Sequence, residues 1–202
     1  MMLYCMIHHV KPNKVIEIGS GYSSCVILDT NEMFFDDSIE CELIEPYPDR
    51  LRSLVRRGDL DRVTLHELKL QDVDIGLFAR LAANDILFVD SSHVTKFNSD
   101  VNRIVFEILP RLDSGVFVHF HDVFFPFEYP REWLVAGLAW NEAYLLRAFL
   151  QYNERFEIQL FNSFLKSCFR DRLLVALPLA ANDPPGAALD TAPAASLWLR
   201  KT

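Results

Sequence analysis

The sequence predicts an α/β fold: a doubly wound, mostly parallel seven-stranded sheet with helices on both faces and an antiparallel last strand. Three observations carry this expectation. Short apolar runs alternate along the chain with stretches of helical periodicity, the pattern of parallel strands joined by right-handed crossovers. The first run, Val15-Ile16-Glu17-Ile18, passes directly into the glycine turn Gly19-Ser20-Gly21 and then into a helix. Several strand ends carry polar or glycine residues against strongly apolar strand bodies.

In chain order, residues 1–9 read as the last turns of a helix that Lys11-Pro12-Asn13 ends. Such a helix normally begins further upstream, so residues 1–12 are expected to be a shortened N-terminal element. Strand one covers 14–18, and its apolar residues suit a strand covered on both faces. A helix over 23–30 follows, with Ser23 or Ser24 as its cap. Strand two, 39–44, ends in Glu45-Pro46, where prolines stop a sheet. Asp49 caps a helix over 50–57 that Gly58 closes. Strand three is short, 63–66, with Gln71-Asp72 soon after it, and 75–81 is helical. Strand four, 85–90, has four consecutive apolar residues and leaves through Ser91-Ser92-His93. Residues 99–109 repeat apolar side chains at helical spacing. Strand five, 116–120, ends in His121-Asp122. An aromatic, proline-rich loop over 124–130 leads to one or two helices in 133–149. Strand six covers 156–161, and a helix through Leu165 and Leu174 follows. Residues 180–195 are too poor in large apolar groups to pack and read as a flexible excursion. Residues 196–200 alternate and make the last strand.

Composition sets further bounds. The 202 residues suffice for a single domain, 1–202, with a full core, and 50% of them are hydrophobic. A net charge of −8 argues against a non-specific grip on nucleic acid. Arg50, Arg52, Arg56 and Arg57 read as a solvated helix face. Cys5, Cys25, Cys41 and Cys168 show no C-x-x-C spacing and are expected to be free, buried thiols in the cytoplasm. The N-terminus lacks the basic start of a signal peptide, and no apolar run is long enough for a membrane span.

In open parallel sheets, ligands bind outside the carboxyl ends of the strands, where the strand order switches. Gly19-Ser20-Gly21, Glu45, Asp90 to His93, and His121-Asp122 should therefore face one crevice. A glycine turn lets backbone approach a ligand, and the free N–H groups of the next helix favour a polar or anionic one. This is the pattern of a nucleotide-type cofactor site. A nicotinamide-dependent oxidoreductase would share it, although Ser24 stands where a fuller G-x-G-x-x-G turn has its third glycine. A non-catalytic binding protein that kept the fold is the other alternative.

The set Glu17-Ile18-Gly19-Ser20-Gly21, Glu45-Pro46, 85–90 with His93, and Phe120-His121-Asp122 resembles the class I S-adenosylmethionine-dependent methyltransferases. Within them it is similar to the small bacterial group of macrocin and mycinamicin O-methyltransferases and cephalosporin hydroxylase-like proteins. The pattern of 124–130 with Trp133, Trp140-Asn141-Glu142, Tyr144-Leu145-Leu146 and 196–201 is also like that group. The resemblance spans about residues 12–202 and implies a Rossmann-like sheet. It implies S-adenosylmethionine as cofactor and a hydroxyl of a sugar or other small molecule as acceptor. Gly19, Ser20, Gly21 and the adjoining Tyr22 would lie against its methionine part, with Glu17 ordering the turn. Glu45, followed by Pro46, would accept hydrogen bonds from the ribose hydroxyls, Gln71 and Asp72 would sit near the adenine, and Asp90 and Ser91 near the sulfonium end. Mg2+ or another divalent cation held by Asp90 and Asp122 is a further implication, weakened because no second acid adjoins Asp122.

The catalytic candidates are His93, His121 and Asp122. His93 or His121 would be the base for a hydroxyl, with an ordinary pKa near 6.5 that suits proton transfer. His119, two residues before His121, shares its face of strand five and reads as a satisfied core residue. The aromatic loop reads either as a substrate lid or as a contact in a homodimer. Glu142 reads as a solvent-facing acid.

Overall fold

The computed structural model describes residues 1–181 and 195–202. The chain opens with helix α1, Met2–Val10, whose last turn closes through Lys11 in the left-handed region, its N–H donating to Ile7 O at 2.8 Å. Then come β1 (Lys14–Ile18), α2 (Tyr22–Phe35), β2 (Glu40–Ile44), α3 (Asp49–Leu54), β3 (Thr64–His66) and β4 (Ile86–Val89). A continuous helical segment follows: α4 (Asp100–Arg103), a π-helical stretch Ile104–Ile108, and α5 (Leu109–Arg111). The remaining elements are β5 (Phe117–His121), α6 (Arg131–Val135), α7 (Glu142–Leu150), β6 (Phe156–Phe161), α8 (Asn162–Cys168), α9 (Arg170–Ala176) and β7 (Ser196–Lys201).

The sheet order is β3-β2-β1-β4-β5-β7-β6, with β7 antiparallel to both neighbours and the others parallel to one another. This is the expected seven-stranded Rossmann-like sheet. The order reverses between β1 and β4: the chain leaves β1 towards β2 on one side and returns through β4 on the other. That switch opens a crevice at the carboxyl edge.

Side chains alternate across each strand, so every central strand feeds two cores. Ile16, Ile18, Leu87, Val89, Val118 and Phe120 meet Ile104, Val105 and Ile108 on one face. Val15, Ile86, Phe88, Phe117 and Trp198 meet Ile7 of α1 and Ile27 of α2 on the other. This double coverage explains why β1 and β4 read as near-continuous apolar runs. At the amino edge, buried Asp85 ties the starts of β1 and β4 together. Its carboxylate accepts from the backbone N–H of Lys14 (2.8 Å), Asn13 (3.1 Å) and Ala82 (2.9 Å).

The expected and observed elements differ at their ends. The helix after the glycine turn is longer, because Asn31 holds the following chain through Ile39, accepting from its N–H (3.0 Å) and donating to its carbonyl (2.9 Å). Asp49 is the first residue of α3 rather than its cap, which is Pro48. The segment expected to stop at Pro110 continues through Arg111. Leu109 N donates five residues back, to Ile104 O, and the Lys201 ammonium caps the carbonyls of Leu109 (2.9 Å) and Pro110 (3.0 Å). The stretch read as a flexible excursion, 180–195, falls almost wholly outside the described residues.

Of the four thiols only Cys41 is buried, and Cys168 is exposed. Arg52 and Arg56 remain exposed and are ion-paired, Arg56 with Asp29 and Glu32, Arg52 with Glu67. The aromatic loop is largely packed inward, with Phe124 and Tyr129 buried in the core and Tyr129 Oη accepting from Ala143 N at 3.0 Å. No helix among the described residues is long and apolar enough to cross a membrane.

Candidate active site

The glycine turn is fixed by contacts from beneath and beside it. Gly19 has φ +82°, and a Cβ there would stand 1.9 Å from the Asp90 carbonyl oxygen. Only glycine lets the ends of β1 and β4 come this close. Gly21 is under no such demand, since a Cβ would meet Arg50 Cδ at 3.5 Å, an ordinary contact. Below the turn, Glu17 is fully buried; the Ser24 hydroxyl donates to Glu17 Oε2 and accepts from Gly21 N at 2.9 Å. Burial raises the Glu17 pKa to about 7, opposed by hydrogen bonds from Ser23, Ser24 and Ser20. Glu17 therefore shapes the turn from the core.

A crevice of about 530 Å³ lies at the switch point. Gly19, Glu45, Pro46, Gln71, Asp90 and Ser91 all line it, together with Lys96 and Ser99. Glu45 reaches back to the turn: its Oε2 accepts from Ser20 N (3.1 Å) and its Oε1 from Tyr47 N (2.8 Å). Gln71 spans the crevice, its Nε2 donating to Asn98 O at 2.8 Å. Ser20 and Gly21 do not line it; Ser20 is tied to it only through its N–H on Glu45. Tyr22 and Asp72 stand elsewhere: Tyr22 is exposed at the start of α2 and lines a different cavity, and Asp72 is exposed on a short 3₁₀ turn.

His93 is the most constrained side chain of the site. It is buried at 4% exposure and its backbone is left-handed, φ +57°. Its Nδ1 is 2.8 Å from Glu142 Oε2 and its Nε2 is 3.3 Å from Asp90 Oδ1. The Ser91 hydroxyl donates to Glu142 Oε1 at 2.9 Å, and Trp140 packs on the imidazole with ring centroids 4.2 Å apart. The entry to α7 clamps the loop. Asn141 N and Glu142 N both donate to His93 O (3.0 and 3.2 Å), and the Asn141 amide exchanges two hydrogen bonds with the Thr95 backbone. Burial pulls the imidazole towards its neutral form, but hydrogen bonds to Asp90 and Glu142 outweigh it and raise the pKa to about 10. His93 is thus a cation at neutral pH, not the free base expected from an ordinary histidine. Glu142 is 1% exposed and not solvent-facing.

Contrary to expectation, neither His121 nor Asp122 lines the crevice, and His121 lines the same separate cavity as Tyr22. His121 Nε2 lies 3.5 Å from Asp122 Oδ1, and burial raises the Asp122 pKa against the pull of His121 and His93. Among the described residues no three His, Cys, Asp or Glu side chains are disposed to hold a metal ion. Asp90 is engaged by His93 Nε2 at 3.3 Å, so a cation held by Asp90 and Asp122 would compete with the imidazole for Asp90. His119 is buried as expected but not satisfied. Neither ring nitrogen has a partner, and burial with nearby His121 pushes its pKa well below 6.5.

A profile of the methyltransferase domain family matches residues 16–123, more than half of the chain. The chain belongs to this family. The match runs from β1 to the residues after β5 and so contains the glycine turn, Glu45, Asp90, His93 and the His121-Asp122 pair. It does not favour the nicotinamide-dependent alternative. An uncharacterized protein of Archaeoglobus fulgidus is 42% identical over 85 residues, which are 41% of this chain and 37% of that protein. Among solved structures, the O-methyltransferase TomG from Streptomyces achromogenes, in complex with SAM, has a TM-score of 0.58. It is 16% identical, with 100% of this chain and 78% of that chain covered. An apo structure of CmcI has a TM-score of 0.52 at 14% identity, covering 77% of this chain and 60% of that one. These identities speak to the fold. This chain spans 37% of the curated relative and 60% of the apo CmcI chain.

Proposed function

We propose that this methyltransferase domain transfers a methyl group from S-adenosylmethionine to a hydroxyl of a small molecule. The observation that carries the reading is the crevice at the switch point, where the Glu45 carboxylate faces a glycine turn pressed against Asp90. A carboxylate at the end of β2 is chemically suited to a vicinal diol. Gly19 leaves backbone open to a ligand, Gln71 offers an amide to a heterocycle, and Asp90 offers a charge to a cationic group. TomG, which shares the fold, is described as an O-methyltransferase in complex with SAM. Four free cysteines suit a reducing compartment.

When bound, the cofactor supplies an activated methyl group on a positively charged sulfur. The chain's part is alignment and proton handling. His93 stands between two carboxylates and holds its proton. Asp90 has a second cationic claimant in the positively charged end of the ligand. Asp90 would hold that charged end, and a protonated His93, bonded from Nε2 towards Asp90 and from Nδ1 to Glu142, would fix the position of the Asp90 carboxylate.

Calorimetry with S-adenosylhomocysteine and with NAD tests this. Binding of the first and not the second is expected. A well-folded protein that binds neither, or prefers NAD, overturns it.

A further inference from the structure

The start of α7 grips the loop after β4 in two ways, and the two serve different ends. We infer that Glu142 is a positioning residue for the charged end of the cofactor, fixing the Asp90 carboxylate at the crevice through His93 and Ser91. The inference rests on the methyl-transfer reading. It adds a residue that lies beyond 16–123, the stretch matched by the methyltransferase domain family.

The first grip needs no carboxylate. His93 O accepts from Asn141 N (3.0 Å) and Glu142 N (3.2 Å), and the Asn141 amide bonds both the N–H and the carbonyl of Thr95. Tyr129 Oη takes the next N–H of the helix, from Ala143, at 3.0 Å. These bonds satisfy free donors at the helix start and fasten the loop by themselves. The Glu142 side chain is nonetheless 1% exposed. A carboxylate buried this far is costly unless it is paired and hydrogen-bonded. A fold that needed only a fastened loop would be served by a smaller, uncharged side chain.

The second grip is made by the two carboxylate oxygens, and both lead to Asp90. Oε1 accepts from the Ser91 hydroxyl at 2.9 Å, and Ser91 follows Asp90 in the chain and lines the crevice with it. Oε2 pairs with His93 Nδ1 at 2.8 Å, and His93 Nε2 lies 3.3 Å from Asp90 Oδ1. Trp140 covers one face of the imidazole, with centroids 4.2 Å apart, so the ring cannot tilt away on that side. Asp90 is the open end of this series: its side chain is 39% exposed, against 5% for His93. Among the described residues, His93 is the one side chain bonded to the Asp90 carboxylate. A partly exposed carboxylate tied at one point is placed by whatever places that point. Fixing it in advance spares a ligand the cost of ordering it. Such a device favours a cation over a neutral ligand of the same shape. S-adenosylmethionine and S-adenosylhomocysteine are that pair, because only the first carries a charged sulfur.

The test measures both affinities by calorimetry in variants of the full 202-residue chain and reads their ratio. Glu142→Ala should lower the preference for S-adenosylmethionine over S-adenosylhomocysteine about tenfold, and Glu142→Gln, which keeps an acceptor for His93 and a polar atom for Ser91, about threefold. Leu146→Ala opens a cavity one turn further along the same buried face of α7 and should leave the ratio unchanged. In an Asp90→Asn background, Glu142→Gln should change the ratio no further. If Glu142→Ala does not fold, Glu142→Gln carries the test alone. Equal weakening of both ligands by Glu142→Gln, an equal fall in the ratio in Leu146→Ala, or a full effect in the Asp90→Asn background each overturns the inference. Wild-type protein that binds neither ligand would sink the methyl-transfer reading itself. Wild-type binding of both, with an unchanged ratio in the Glu142 variants, would sink this inference and leave that reading standing.

Discussion

His93 Nδ1 sits 2.8 Å from Glu142 Oε2, a contact between the loop after β4 and the first turn of α7. Both groups are almost completely buried, and Asp90 takes the other imidazole nitrogen at 3.3 Å. The pair does two things. It holds a non-glycine residue in the left-handed region at the rim of the crevice, and it keeps the imidazole charged.

Replacing Glu142 with Gln keeps the shape and removes the charge. A hydrogen bond to a charged group contributes about 1.5–3 kcal/mol, and here that is worth about 3–12 °C in Tm. The folded pKa of His93, about 10, lies above the ordinary value of 6.5. Its contribution to stability is therefore complete below about pH 6.5 and is lost as the pH rises through about 10. Thermal melts should show the full deficit of Glu142→Gln near about pH 6 and almost none above about pH 10. A deficit independent of pH would refute the charge pairing.

This contact also marks where sequence reading stops. The strand bodies were legible because parallel strands buried on both faces need apolar side chains at every position, as in Ile86-Leu87-Phe88-Val89. The crevice residues were legible because polar groups at the ends of such strands have few other places to be. Glu142 was not. One acid on an amphipathic helix has the same local signature whether it faces water or a partner 49 residues away. Its signal lay in the neighbours: Asn141 before it and the short α7 leave the helix start, where a carboxylate is favoured, pointing at the loop after β4. His119 failed for another reason. Its position within strand five marked it correctly as a core residue, but nothing local states whether a core polar group will find a partner.

Gly19 and Gly21 should behave oppositely when changed to Ala. At Gly19 the new Cβ meets the Asp90 carbonyl at 1.9 Å on a backbone with φ +82°. The left-handed strain alone costs about 1–2 kcal/mol, and the clash must also push β1 and β4 apart. Gly19→Ala should lower Tm by well over about 5 °C or fail to fold. Gly21→Ala should melt within about 2 °C of the wild type, because its Cβ makes only the contact with Arg50 Cδ at 3.5 Å. Equal melting temperatures for the two variants would contradict the turn geometry.

Glu45→Ala should weaken S-adenosylhomocysteine by about 10- to 150-fold in calorimetry, the loss of hydrogen bonds to a charged acceptor. Part of that loss is indirect, since Glu45 also holds Ser20 N of the turn. Glu45→Gln separates the two parts. It retains one oxygen, which can keep the turn in place, but lacks the carboxylate that a diol engages with both hydroxyls. Its affinity should fall between the other two. An affinity equal to wild type in Glu45→Ala would remove Glu45 from the cofactor site.

His119→Phe should stabilise the ligand-free protein, most of all in acid. Phenylalanine keeps the stack on Phe88 and the edge contact with Trp198, and it removes the two bare ring nitrogens. Removing an unpaired buried polar group of this kind is worth about 1–3 kcal/mol. The pH dependence follows from the direction of the shift. The folded pKa lies well below 6.5, so the unfolded chain binds a proton that the folded chain refuses. Wild-type stability from this group is intact above about pH 6.5 and falls by up to about 1.4 kcal/mol for each pH unit below it, until the folded pKa is reached. The variant has no such term. The gain in Tm over wild type should therefore be modest near about pH 7.5 and grow steadily towards about pH 5. A gain that is flat with pH would mean that His119 takes up its proton in the folded state, and hence that its nitrogens reach water.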